Sequence, residues 1–156
     1  MTEPITDFHG KYDFLSNFYI SPFMYEGKEY RSVEHAYQAW KAASPEDAEK
    51  IRLAPTPGQA KKLGRSVSLA ESAKTEYNRL VAMHKFLWAK FGNPDMVEKL
   101  LSTGDAELVE GNWWGDKFWG VCKGEGENYL GHALMAIRAA LQDEKYGSKV
   151  VDTAPR

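Results

Sequence analysis

Cysteine is almost absent, with Cys122 alone in a chain of 156 residues. One thiol cannot close an internal disulfide, which excludes a disulfide-stapled secreted scaffold and fits a reducing cytoplasm. No group of histidines, cysteines and acids has metal-ligand spacing, so a structural zinc site is not expected. No apolar run approaches the length of a membrane span, and the segment Met1–Asp7 lacks the basic and apolar regions of a signal peptide. Neither sign of charge is in excess: 20 basic against 22 acidic residues leave a formal charge of −2. That balance excludes a bulk polyanion-binding surface, while a small basic patch serving a nucleic-acid substrate remains compatible with it. Repeats, low-complexity tracts and an obvious linker are also missing. The expectation is one soluble intracellular domain over residues 1–156, with a core at about 8–142 and a polar tail at 143–156.

Aromatics, by contrast, are concentrated. Three of the five tryptophans, Trp113, Trp114 and Trp119, fall in a run that also carries Gly111, Gly115, Gly120, Gly124 and Gly126. Glycines free the backbone for φ > 0 or for close approach to a ligand, and aromatic faces offer a base or sugar a surface to rest on. Asp116 sits in the middle of this run. A carboxylate against aromatic walls is partly desolvated and suits a general acid or base, and the same residue in an Asx-turn merely shapes the loop. The two readings stand level. Gly124–Asn128 is a weak candidate for a phosphate cradle, because it lacks the usual glycine spacing and carries two glutamates.

The pattern predicts a helix-dominated α+β fold with a small β component near the N-terminus. The first thirty residues read as extended, with a hairpin over 23–30 turning at Glu26-Gly27. Ser32 caps a helix from Val33 to about Ala43, Ser44-Pro45 starts another, and Thr56-Pro57 a third that Gly64 stops. Ser68–Glu71 has the form of a capping box opening the longest helix. There Tyr77, Leu80, Val81, His84, Leu87, Trp88 and Phe91 form a buried stripe. A helix follows Pro94, Leu108-Val109 reads as a short strand, and a last helix starts near Asn128 and frays from Gln142.

Within the first helix Glu34, Gln38 and Lys41 stand at i, i+4 and i+7, so carboxylate, amide and amine share one face. In the first turn the helix dipole favours the ionised carboxylate, which suits a general base or a stabiliser of positive charge. The plainer reading is an exposed face with ordinary i,i+4 pairing, and the pattern alone favours it. His35 and His84 read as packed residues, and Cys122 as inert. Arg65, Arg31 and Lys41 are candidates for a phosphate oxygen.

Taken together, several segments resemble the YbiA-like family, also called NADAR. They are Phe14–Phe18, Ser32–Lys41, Lys62–Arg65, Ala89–Phe91, Leu100–Gly104, Asp116–Gly120 and Gly124–Gly131. The resemblance runs from about Phe14 to Leu141. Two positions depart from the family pattern, Thr75, where related chains carry a tryptophan, and Tyr12-Asp13, where they carry Tyr-Gly. Members of the family are N-glycosidases. Some act on an early riboflavin-pathway intermediate bearing ribose 5-phosphate, and others remove ADP-ribose from modified guanine. The resemblance implies Glu34 and Asp116 as catalytic carboxylates facing a common cavity, with Lys41 as a candidate Schiff-base amine. For substrate contacts it suggests Ser16, Asn17, Phe18, Arg65, Trp119 and Asn128. The expected partner is a ribosyl phosphate, an ADP-ribosyl compound or ADP-ribosylated nucleic acid, with no membrane, no metal and no other cofactor. The alternative is a non-catalytic module that binds NAD or ADP-ribose.

Overall fold

Hydroxyl caps start four of the helices. In the computed structural model, which describes residues 2–153 with side chains as far as 145, Ser32 Oγ accepts from the His35 amide at the start of α1 (Val33–Lys41). Ser44 does the same for α2 (Pro45–Arg52) and Thr56 for α3 (Pro57–Ser66), each with proline in the first turn. Thr75 caps α4 (Glu76–Lys90) by accepting from the Asn78 amide. A cap contributes about 1 kcal/mol and burying an isoleucine about 1.5–3, so packing rather than capping holds helices this short. Ile51, with no exposed surface, anchors α2 in this way against Ala39, Ala54 and Ala60.

These elements, with the hairpin β1 (Phe23–Tyr25) and β2 (Lys28–Tyr30), make one compact unit, Ser16–Asn93. Its hairpin turn has Glu26 at φ 49° and Gly27 at φ 81°, the left-handed pair a two-residue antiparallel turn requires. Around α1 pack α2, α3 and α4, and β1 lies on α4. A second unit combines Met1–Leu15 with everything from Pro94 onward. It holds α5 (Pro94–Leu101), α6 (Tyr129–Thr153) and a two-residue parallel pair, β3 (Gly111–Asn112) with β4 (Val121–Cys122). Leu100, Leu108, Leu134 and Ile137 are fully buried there.

The helix-dominated α+β expectation holds, and five local readings need correction. Gly10–Leu15 is a 3-10 helix rather than extended chain, entered through Gly10 at φ 58°. Gly64 does not stop α3; it lies inside the helix because α3 approaches α1 closely at that point. Ser68 is no cap, since its backbone is taken up in extended pairing. Its carbonyl accepts from the Ala43 amide at 2.8 Å, and Lys41 O accepts from the Ala70 amide at 2.8 Å. A 3-10 turn, Glu71–Lys74, intervenes before α4.

The buried face of α4 is also rotated from the expected stripe. Tyr77 is 75% exposed, whereas Ala82, Met83, Phe86, Leu87 and Lys90 are buried. The cause is the hairpin, whose Tyr25 ring lies edge-on to Phe86 with centroids 5.0 Å apart. Finally, α6 is the longest helix and continues past Gln142 to Thr153. The expected tail beyond Thr153 lies outside the described residues.

Candidate active site

The polar face of α1 is buried, which decides against the plainer reading of an exposed surface. Glu34 is only 8% and Gln38 only 5% exposed. Gln38 Nε2 donates to Glu34 Oε2 at 2.7 Å, and the Glu34 amide donates to Asn17 O at 3.1 Å. Lys41 closes the face in the last turn of α1, with its amine 5.0 Å from the Tyr37 ring centroid. Its pKa is lowered, chiefly by burial; Glu34 opposes that shift, while Arg79, Lys61 and Arg65 add to it. Arg79, Lys61 and Arg65 thus lie near enough to act on Lys41, a concentration of positive charge suited to an anionic substrate.

The Ser16–Phe18 turn runs along the same region. Lys90, 1% exposed, donates its amine to Ser16 O at 2.9 Å, and Ser16 Oγ accepts from the Phe18 amide at 3.1 Å. Asn17 is buried with Nδ2 at 3.5 Å from Met83 Sδ, and its Oδ1 has no partner among the described residues. Phe18 is 41% exposed, with the Lys61 amine 5.7 Å from its centroid. Arg65 is exposed on α3. Ser16, Asn17, Phe18, Glu34, Lys41 and Arg65 thus belong to one unit.

His35 is a packing residue. It is fully buried, Nε2 donates to Ala54 O at 3.0 Å, and Nδ1 lies 2.7 Å from Ser32 Oγ. Because a carbonyl only accepts, Nε2 carries the proton and Nδ1 takes the serine O–H. Burial lowers its pKa. His84 is half-buried and accepts from Trp88 Nε1 at 2.9 Å.

Asp116, Trp119 and Asn128 belong to the other unit, on the glycine-rich loop between β3 and α6. Asp116 Oδ1 accepts from the amides of Phe118 and Trp119 at 3.0 and 2.9 Å, an Asx-turn. The Asn112 side chain clasps the same residue from both sides, donating to Asp116 O at 2.8 Å and accepting from its amide at 3.0 Å. The loop-shaping role is therefore real, and among the described residues no donor reaches Oδ2 of this half-buried carboxylate. Trp119 is half-buried, edge-on to Phe118 with centroids 4.7 Å apart.

Asn128 is buried, at φ 53°. It donates Nδ2 to Leu108 O at 2.9 Å and accepts at Oδ1 from the Glu110 amide at 3.0 Å, so its amide ties the loop's two ends together. A cavity of about 630 Å³ also opens in this unit, between Asp7, His9, Asn112, Trp113 and Lys123. Trp113 at its edge is 84% exposed.

Four contributors escaped the sequence reading as site residues: Gln38, Lys61, Arg79 and Lys90. Gln38 stood on the same face as Glu34 and Lys41, a face whose pattern alone reads as ordinary i,i+4 surface pairing. Lys90 had a signal in its place between Ala89 and Phe91, within a segment already singled out. Nothing local marks Lys61 or Arg79, which reach the site from α3 and α4 through packing.

A family model for the NADAR domain matches residues 6–142, running across both units. The chain belongs to the NADAR family. Among NADAR relatives, N-glycosidase YbiA of Escherichia coli strain K12 is 34% identical over 150 residues, covering 93% of each chain. An N-glycosidase of Nostoc punctiforme is 36% identical over 141 residues, covering 85% of this chain and 87% of the relative. A riboflavin biosynthesis protein of Vibrio vulnificus is 35% identical over 136 residues, where the match takes up 36% of the longer relative. The NMR structure of E. coli YbiA aligns with a TM-score of 0.81 at 33% identity, over 94% of this chain and 89% of that one. As a NADAR protein with relatives of this closeness, the chain is a glycosidase enzyme of the N-glycosidase class. Among its described residues no helix is long and apolar enough to cross a membrane, and no group of three acids, histidines or cysteines could hold a metal.

Proposed function

We propose that the chain hydrolyses the N-glycosidic bond of a phosphorylated ribosyl substrate, either a riboflavin-pathway intermediate or an ADP-ribosylated guanine. The observation that supports this reading is the buried Glu34 held by Gln38 amid Lys41, Lys61, Arg65 and Arg79. Breaking a ribosyl C–N bond builds positive charge on the anomeric carbon and ring oxygen, which an ionised carboxylate stabilises. The phosphate of the same substrate is a dianion, and lysines and arginines bind it as point charges or forks. One carboxylate surrounded by several cations matches both ends of a ribose phosphate.

In this mechanism Glu34 stabilises the oxocarbenium-like transition state and orients water, while Arg65 and Lys61 bind phosphate. Phe18, exposed with a lysine over its face, rests against the base or sugar. Lys41 serves as a phosphate ligand or, when neutral, as a nucleophile on the ring-opened ribose. In the second case the ring-opened ribosylamine is an imine at C1; the Lys41 amine adds to that carbon and the base leaves as its amine. Water then hydrolyses the lysine imine to the free sugar aldehyde and the lysine. The family resemblance implies Asp116 as the second catalytic carboxylate.

The deciding experiment offers the purified protein the ribosylamino 5-phosphate riboflavin intermediate and, separately, ADP-ribosylated guanosine. Released ribose 5-phosphate or ADP-ribose is followed by mass spectrometry. Cleavage of the first and not the second assigns a metabolite substrate, the reverse assigns modified nucleic acid, and cleavage of neither overturns the proposal.

A further inference from the structure

Gln38 is tied to Glu34 at one end and left unsatisfied at the other. Its Nε2 donates to Glu34 Oε2 at 2.7 Å, while its Oε1 is buried with no hydrogen-bond partner among the described residues. With Glu34 ionised, the carboxylate offers only acceptors, so only the NH2 end of the amide can face it. The orphan oxygen is the consequence of that choice. A buried acceptor left unpaired is costly, and a protonated Glu34 would allow the amide to turn and accept the carboxyl proton.

Gly64 on α3 fixes the amide from the other side. A Cβ built at Gly64 would stand 2.0 Å from Gln38 Oε1 and 2.8 Å from its Cδ. Any side chain there would push the amide off its place. The glycine's φ is not in the left-handed region, so its presence is explained by this close approach rather than by backbone conformation. α3 thus continues through a glycine to press its backbone against a side chain that holds the carboxylate.

We infer that Gln38, wedged by Gly64, is a positioning residue that holds Glu34 in its ionised form and in one orientation for the reaction. The inference rests on the reading of Glu34 as a catalytic carboxylate. The charged groups around Lys41 are Lys61 and Arg65 on α3 and Arg79 on α4, and the buried Lys90 of α4 bonds the Ser16–Phe18 turn whose Asn17 carbonyl accepts from the Glu34 amide. On α2 and β2, Glu49 instead pairs with Arg52 and Lys28. The cations around Lys41 also favour an ionised Glu34, so removing the amide shifts its titration without reversing it.

The test is the pH profile of kcat/KM for the wild type, Gln38→Met and Gln38→Glu, on whichever of the two ribosyl substrates is cleaved. Losing a hydrogen bond to the charged form is expected to move the acidic limb of Gln38→Met upward by about one pH unit. Gln38→Glu moves it further, because two carboxylates then share a proton. Gly64→Ala, which displaces the amide while leaving Gln38 in the chain, moves the same limb in the same direction and supplies the answer if Gln38→Met does not fold. An acidic limb unmoved in whichever of these variants folds overturns the inference, because a merely structural role would lower stability or kcat and leave the limb in place. Glu34→Gln separates the two claims. If it retains full activity, the reading of Glu34 fails; if it is inactive while the limb stays put in Gln38→Met, only the positioning role of Gln38 fails.

Discussion

The two parts of the chain that carry the candidate site residues are held in opposite ways. In Ser16–Asn93, Glu34 and Gln38 are fixed by burial, pressed between helices whose caps and apolar faces were set by the sequence around them. In the loop from Gly111 to Asn128, order comes from side chains bonding to backbone: Asn112 and Asp116 close one turn, and Asn128 joins Leu108 to Glu110. Burial places charge accurately but makes each unpaired polar atom expensive, as it does the buried oxygens of Asn17 and Gln38. A hydrogen-bonded loop leaves its aromatics free to present surface, as Trp113 does at 84% exposure. The difference teaches what each part is suited to: the helical part to govern charge, the loop to offer faces and edges.

The sharpest way to break this comparison is to remove charge without removing shape in both parts. Glu34→Gln is expected to lower kcat by about 10²–10⁴-fold, the range for losing a positioned acid–base group. In Asp116→Asn the amide oxygen still accepts from the Phe118 and Trp119 amides, so the turn survives and only the charge is lost. A comparable fall in kcat for Asp116→Asn gives the loop a chemical role. Full activity in Asp116→Asn, with loss only in Asp116→Ala, makes Asp116 a turn residue and confines the chemistry to the helical part. Steady-state kinetics on the cleaved substrate, alongside thermal unfolding of each variant, reads the outcome.

Lys41 sharpens the comparison within the helical part. Burial and three neighbouring cations lower its pKa, so a larger fraction of amine is neutral at working pH than for a surface lysine. Borohydride added during turnover is expected to reduce an imine on Lys41 and leave a mass increment on its peptide. If no adduct forms and Lys41→Arg keeps most of the activity, the residue acts as a phosphate ligand and carries no covalent step.

How much of this was legible in the sequence follows the same division. The starts of α1, α2 and α3 were readable because Ser32, Ser44-Pro45 and Thr56-Pro57 signal locally, and the hairpin because Glu26-Gly27 does. Ser68 misled because its local pattern was a cap, while its backbone is engaged by Ala43, a partner no local pattern reveals. The face of α4 was misjudged for the same reason, since the hairpin's tyrosines decide what is covered. Helical spacing put Glu34 and Lys41 on one face, but the pattern alone favoured an exposed surface and only the family resemblance gave them a role; Lys61, Arg65 and Arg79 come together only once α3 and α4 are packed. Gly64 was read as a stop signal when its use is contact.

On the loop a smaller effect is expected. Trp119→Ala should weaken substrate binding by about 1–3 kcal/mol if its half-buried ring serves as a stacking platform. Its edge-on contact with Phe118 supplies the competing outcome: a lower melting temperature with affinity per folded molecule unchanged. Titration by calorimetry together with thermal unfolding distinguishes a face offered to ligand from one used for packing.

The smallest effect touches stability alone and tests whether the helical part carries a pH penalty for burying its polar groups. His35 is held neutral, its pKa lowered chiefly by burial and further by Arg31, against an opposing hydrogen bond to Ala54 O. In the unfolded chain the same imidazole takes up a proton near pH 6.5. Between that value and the lower folded pKa the unfolded state binds more protons, so stability is complete above about pH 6.5 and falls as pH drops through the folded pKa. Urea midpoints measured between pH 7.5 and 5 should therefore decline on the acidic side. His35→Gln, which keeps hydrogen-bonding capacity without titrating in this window, should decline less steeply even if it starts from a lower midpoint. A His35→Gln variant with the wild-type slope would move the acid sensitivity elsewhere in the chain and would leave the buried imidazole energetically silent.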